Sequence, residues 1–295
     1  MLTGAVKQIV KYIVNNIIYI FGAHLWGGLF AQFVTGATMP IARQSGGTGR
    51  NRLCNSGRGK EGSDVMIDFY IWYTSNARKV AIMLEETGLK YKIRVVDIGR
   101  GDQFNSEFLK ISPNNKIPAI HDPDGPDGAP IAVFESGAIL IYLAEKTKSF
   151  LPANGNTRYD VMQWLMFQMA SVGPMFGQYN HFNVYARDKA PYAAERYSKE
   201  CGRLYRVMDK ALADRDYISG DYSIADMAIW PWAHNFAGRG QDAVDFPNVK
   251  AWAERVGARD AVKRAYDMVG PSPRTGPIDK QHWENMYGAK QYEQH

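Results

Sequence analysis

From residue 66 onward, the spacing of apolar side chains alternates between strand and helix periods. Residues 66–72 (MIDFYIW) form a short apolar and aromatic run suited to a buried strand. Residues 77–87 (ARKVAIMLEET) place Val80, Met83 and Leu84 on one helical face, and Gly88 stops that helix. A second strand is predicted over 91–96 and a short helix over 106–111. Residues 116–121 (KIPAIH) and 131–134 read as short strands around a turn rich in Asp, Gly and Pro. Residues 136–146 read as a helix with Ile139, Leu140 and Leu143 inward. The predicted order is β-α-β-α-β-β-α.

Beyond a loop at 151–156 the pattern becomes wholly helical. Tyr197, Cys201, Leu204, Met208 and Leu212 form an apolar stripe at helical spacing. Ser223 and Asp226 match a capping box in front of a helix over 227–232. Pro247 opens a further helix reaching residue 256. Residues 271–295 combine Gly, Pro and charge without periodicity and are expected to be a loose tail. The proline in KIPAI cannot donate to a ladder, so it belongs at an edge or in a special geometry. A cis peptide before Pro118 is expected there, leaving the Ile117 N–H and C=O to a bound peptide.

Charge separates the first 65 residues from the rest. The chain carries +5 overall, yet residues 1–60 hold seven basic and no acidic side chains, so the remainder is mildly acidic. That remainder offers no phosphate-binding surface, and no nucleic-acid partner is expected. Residues 12–42 contain no Asp, Glu, Lys or Arg. Val6, Ile9, Val10, Ile13 and Ile17 recur at helical spacing, while residues 44–62 hold too little apolar surface to stay ordered. Residues 1–65 are therefore read as an extension, with two alternatives. It is the product of an upstream start codon, with Met66 as the true start, or it is a targeting or membrane-surface segment. Membrane contact is expected only if residues 1–45 are genuine. The two cysteines, Cys54 and Cys201, make neither a disulfide framework nor a zinc cluster, which suits reduced, cytoplasmic surroundings.

Four stretches between residue 66 and about residue 270 carry a resemblance: SPNNKIPAI at 112–120, FESGAILIYL at 134–143, YSIAD at 222–226, and FPNV at 246–249 followed by Trp252. In this order and spacing the chain resembles the glutathione S-transferase superfamily. The NNKIPAI, FESGAIL and SIADMAIWPW strings are most similar to its bacterial disulfide-reductase (nu) class. The resemblance implies α/β plus all-α architecture: a thioredoxin-like domain over 66–150, then an all-helical domain over 156–270. It also implies glutathione as the cosubstrate, a small disulfide or electrophile as the second substrate, and a homodimer.

Site residues follow from matching positions. Glu135 and Ser136, where strand passes into helix, suit the amine and carboxylate of the γ-glutamyl unit. Ile117 would pair with the cysteinyl backbone, with Pro118 setting the geometry. Gln103 and Lys116 match positions that hold the glycyl end, and Arg196 matches an arginine that reaches glutathione in this class. Thr74 and Asn76 match the pair that poises the thiol. The class usually places Pro between them, and Ser75 stands there instead, so Ser75 is a second candidate hydroxyl. A free thiol has a pKa of about 8.5, so hydrogen-bond donors and a helix terminus are needed to favour thiolate at neutral pH. No cysteine lies near residue 74, so any disulfide chemistry must use glutathione sulfur. Trp164, Phe167, Tyr179, His181, Phe182 and Trp230 are candidates to line a second-substrate pocket. The rival reading is a non-catalytic glutathione-fold protein used for binding or regulation.

Overall fold

Residues 66–186, 189–269 and 279–293 are described by the computed structural model; the extension expected over residues 1–65, with Cys54, lies outside them. Strands β1 (Ile67–Ile71), β2 (Tyr91–Val95), β3 (Ala119–Asp122) and β4 (Ile131–Phe134) form one sheet in the order β2-β1-β3-β4. β1 runs parallel to β2, and the helix α1 (Ser75–Thr87) supplies the long crossover that such a pair requires. β3 is antiparallel to both β1 and β4. The strand predicted from residue 116 begins at Ala119, because Pro118 has no N–H for the ladder. The Ile117–Pro118 peptide is cis. The short α2 (Ser106–Ile111) and α3 (Ser136–Thr147) complete this part.

The rest is helical. α4 (Gly155–Phe167), α5 (Gly173–Asn180) and two π turns, Gln168–Val172 and His181–Tyr185, form one long interrupted helical run. α6 (Pro191–Ala211), α7 (Ile224–Ala233), α8 (Pro247–Gly257) and α9 (Asp260–Val269) follow. The predicted stripe on α6 is buried through Cys201, Leu204 and Met208. The capping box forms at the start of α7: the Ser223 hydroxyl accepts from the Ala225 amide, and the Asp226 carboxylate accepts from the Ser223 amide.

α1 packs against α9, α7 and α3. One apolar cluster therefore runs from Phe69 and Val80 through Leu140 and Leu165 to Met227 and Trp252. The thioredoxin-like and helical parts share that core and form a single compact unit.

The C-terminal segment departs from the expected loose tail. Residues 280–287 form α10 (Lys280–Tyr287), and Ala289–Tyr292 form a 3₁₀ turn. The Asp279 carboxylate caps α10 by accepting from the His282 amide. Asn285 is buried, and its side-chain amide donates to the Gly99 carbonyl at 2.6 Å. Trp283 and Tyr287 pack on the His181 ring at 5.9 and 4.9 Å. Polar anchors and ring contacts hold this helix rather than an apolar stripe, so it left no periodic signal. Among the described residues no helix is long and apolar enough to cross a membrane.

Candidate functional site

Two helix N-termini frame the site. At the start of α1, Thr74 is the N-cap and its Oγ1 accepts from the Ala77 amide at 3.2 Å. A hydroxyl that accepts in a cap still has its own proton to donate. Two residues on, Asn76 Oδ1 accepts from the Trp232 indole Nε1 at 2.9 Å. Indole N–H can only donate, so this bond fixes the amide orientation and leaves the Asn76 Nδ2 group as a donor. Trp232, on α7, was not among the sequence candidates. It acts from 156 positions away, a distance at which no local pattern reports it. Ser75 occupies the first turn of α1, half-buried, and lines none of the cavities described below.

At the start of α3, Glu135 adopts φ 69°, ψ 117°, and its side chain makes no capping bond. The exposed carboxylate is therefore not engaged in holding the helix. Ser136 is buried, and its hydroxyl donates to Met169 Sδ at 3.8 Å. The free N–H groups of this first turn and the positive end of the helix dipole suit a carboxylate. Asn76, Ile117, Pro118, Glu135 and Ser136 line one cavity of about 160 Å³.

Lys79 stands directly behind that wall, and sequence reasoning missed it. It is buried, with Nζ donating to Gln168 Oε1 at 2.6 Å and to Ser136 Oγ at 3.4 Å. Among the described residues no carboxylate comes within ion-pair distance of it. Burial pushes its ammonium down to about 7, opposed by the field of Glu135. The signal was present: Lys79 lies four residues before Met83, on the apolar face of α1.

A second cavity of about 250 Å³ is lined by Thr74, Gln103, Lys116 and Ile117 with Met286 and Gln291 of the C-terminal segment. Gln103 is buried; its Nε2 donates to the Asn285 carbonyl, and its Oε1 has no partner. Lys116 Nζ donates to Gln291 Oε1 at 2.6 Å and to Asn115 Oδ1, and partial burial lowers its pKa. The two residues matched to the glycyl end thus come together, with the C-terminal segment against both. A wider cavity of about 540 Å³ adjoins Thr74 and is lined by Trp72, Tyr73, Tyr185, His282 and Met286 among others. None of the six aromatic and histidine candidates lines it. Trp230 instead donates to the Ala253 carbonyl, and Trp164 and Phe167 pack on one another. Arg196 is exposed on α6 and is not brought to these cavities. Cys201 is fully buried, and burial pushes its thiol up to about 12, which leaves it no thiolate character at neutral pH.

Known proteins resemble this chain in sequence and fold. Residues 74–146 match the family model described as glutathione S-transferase, N-terminal domain, and residues 191–255 match that for the C-terminal domain. The disulfide-bond oxidoreductase YfcG of Escherichia coli is 48% identical over 202 residues, covering 68% of this chain and 94% of YfcG. A glutathione transferase family member from Pseudomonas fluorescens, solved with two glutathione bound, aligns with a TM-score of 0.66 and 47% identity, over 68% of this chain and 92% of that one. A glutathione transferase from Pseudomonas putida, solved with one glutathione disulfide bound per subunit, aligns with a TM-score of 0.67 and 40% identity, over 72% of this chain and 95% of that one. With two family domains matched in order and a relative of this similarity covered almost end to end, the chain belongs to the glutathione S-transferase family.

Proposed function

We propose that the chain is a glutathione-dependent disulfide-bond reductase that binds glutathione between the N-termini of α1 and α3. The observation that carries this reading is the convergence of Asn76, Ile117, Glu135 and Ser136 on one cavity wall. Glu135 would pair with the γ-glutamyl amine, and the α3 N-terminus with Ser136 would take its carboxylate. The Ile117 backbone would meet the cysteinyl unit, while Gln103 and Lys116 would take the glycyl end. That order lays the thiol beside Thr74 and Asn76, whose free O–H and N–H suit a thiolate. Two neutral donors and a helix terminus stabilise the ionised sulfur without adding a competing nucleophile. Ser75 is the alternative hydroxyl, one residue further into the same turn.

The chemistry is thiol–disulfide exchange. Glutathione thiolate attacks one sulfur of a small disulfide, forming a glutathione mixed disulfide and expelling a thiolate. A second glutathione thiolate attacks the mixed disulfide, giving glutathione disulfide and the second thiolate. YfcG's name and the two solved relatives with two glutathiones or glutathione disulfide bound support this reading. In it the protein is a cytoplasmic homodimer, with Arg196 at the subunit seam. The test is an activity pair on one sample: glutathione with hydroxyethyl disulfide, and glutathione with a chlorinated aromatic. Disulfide reduction is expected to dominate; faster conjugation would assign transferase chemistry to the same site, and absence of both would favour a binding role. Sedimentation as a stable monomer at micromolar concentration would remove the dimer.

A further inference from the structure

We infer that Lys79 is a positioning residue that supplies a buried counter-charge for the γ-glutamyl carboxylate of glutathione and takes up a proton when that carboxylate binds. The inference rests on the placement of that carboxylate at Ser136 proposed above. A lysine removed from water ordinarily pairs with a carboxylate. Lys79 has instead two neutral oxygens, Gln168 Oε1 and Ser136 Oγ. Gln168 is itself held in the π turn with its Nε2 buried and unpartnered. The Ser136 hydroxyl accepts from the ammonium, so the lysine is one hydrogen bond behind the surface on which the ligand's carboxylate is placed. The cavity thus has a lysine beneath it that no carboxylate among the described residues pairs with directly, Glu135 on the same lining acting on it only through its field.

The charged groups on neighbouring elements are engaged elsewhere or, as with Asp267 of α9, exposed. On and beside α9, Arg259 pairs with Glu86, Arg264 with Glu85, and Asp260 with Lys263, while Tyr266 faces Arg78. On α7, Asp226 is held by Ser223, Ile218 and Trp252, and His234 lies against Trp230. On α3, Tyr142 and Lys146 bond Asp122, and Glu145 pairs with Arg158. On β1, Asp68 pairs with Arg94. Glu135 alone acts on Lys79 through its field, and in the complex Glu135 is matched by the ligand's amine. The arriving carboxylate is then the uncompensated charge that Lys79 meets. An anion there favours the ammonium, so a lysine partly neutral at neutral pH is protonated on binding.

The test uses S-methylglutathione, which keeps both carboxylates and the amine but has no titratable thiol. Calorimetry in two buffers of different ionisation enthalpy is expected to show net proton uptake at pH 7.5 and almost none at pH 6. Affinity is expected to fall as pH rises above about 7, by at most about tenfold per pH unit for one linked proton. Lys79→Met should bind about tenfold or more weakly at pH 6, with no uptake at any pH. Lys79→Arg, charged throughout, should restore affinity without uptake. Gln168→Glu leaves the lysine in place, gives it a carboxylate partner, and should abolish the uptake at pH 7.5. Binding to the wild-type protein without proton uptake, or uptake that persists in Lys79→Met, would overturn the inference. Glu135→Ala separates the two levels: if that variant binds normally, the placement of the γ-glutamyl unit itself has failed.

Discussion

One substitution in the α3 turn is expected to move stability and binding in opposite directions. Glu135 holds φ 69°, ψ 117°, a region that L side chains rarely adopt because Cβ crowds the backbone. Strain of this kind costs about 1–3 kcal/mol. Glu135→Gly removes Cβ and with it the strain. It also loosens the unfolded chain, which returns about 0.5–1 kcal/mol of the gain. The net expectation is a protein more stable by about 1 kcal/mol. Glutathione binding should move the other way. A charge-assisted hydrogen bond to the ligand's amine contributes about 1.5–3 kcal/mol, so affinity should fall by about 10- to 150-fold. Glu135→Ala is the control: it retains Cβ, and so the strain, but loses the carboxylate. It should bind as poorly as the glycine variant without its gain in stability. Urea unfolding followed by tryptophan fluorescence and calorimetric titration of glutathione measure the two quantities on the same samples. A glycine variant no more stable than the alanine variant would refute the strain argument, and wild-type affinity in both would refute the role of Glu135.

Asp226→Ala should destabilise the protein by about 3–5 kcal/mol in urea unfolding, because it orphans three buried donors, the Ile218 and Ser223 amides and the Trp252 indole. The double variant Thr74→Ala with Asn76→Ala should slow disulfide reduction at neutral pH, with the loss shrinking as pH approaches the free thiol value of about 8.5; an unchanged pH–rate profile would assign thiol activation to other groups. Trp232→Phe should reproduce part of that loss by releasing the Asn76 amide, while Thr74→Ser should not. Lys79→Met should stabilise the unliganded fold, since Lys79 falls from 10.5 to about 7 on burial. That penalty is full below about pH 7 and fades as pH rises towards the unfolded value, so the gain in Tm over wild type should be larger at pH 6 than at pH 9.5.

Much of the fold was legible because its signals are local. The 67–71 and 131–134 strands, the α6 stripe and the Ser223–Asp226 box each depend on residues within one element, and each formed. The two helix N-termini and the segment around Pro118 line one cavity, a grouping that the sequence suggested only through the family resemblance of 112–120 and 134–143. What stayed hidden depends on contacts between distant segments. The Trp232 indole fixes Asn76 across 156 positions and Gln168 meets Lys79 across 89, and neither residue type announces such a partner. α10 was hidden for a different reason. Periodicity detects helices that bury an apolar face, whereas α10 is held by the Asn285 amide on Gly99, the Asp279 cap and the Trp283 and Tyr287 rings packed about His181.

The position of Lys79 shows where fold and function compete for the same helix. Val80, Met83 and Leu84 of α1 lie in the core without exposure, and Lys79 lies among them nearly as deeply. Methionine has similar length there and no charge to desolvate, so stability alone would favour it. The ammonium is thus a local expense that the apolar core of α1 offsets. What it gains is a protonatable nitrogen held behind Ser136, beside the α3 N-terminus, which in the proposed complex gains its charge as the anion binds, with no side-chain motion needed to bring it there. In the proposed complex, affinity for an anion then comes from a group positioned during folding rather than from ordering a flexible surface lysine at the moment of binding. The same logic applies at the other end of the site, where the Asn76 amide is oriented in advance by Trp232. In the proposed complex both devices act through buried or half-buried groups one bond removed from the ligand, and the geometry of the site is therefore inseparable from the core that α1 shares with α7 and α3.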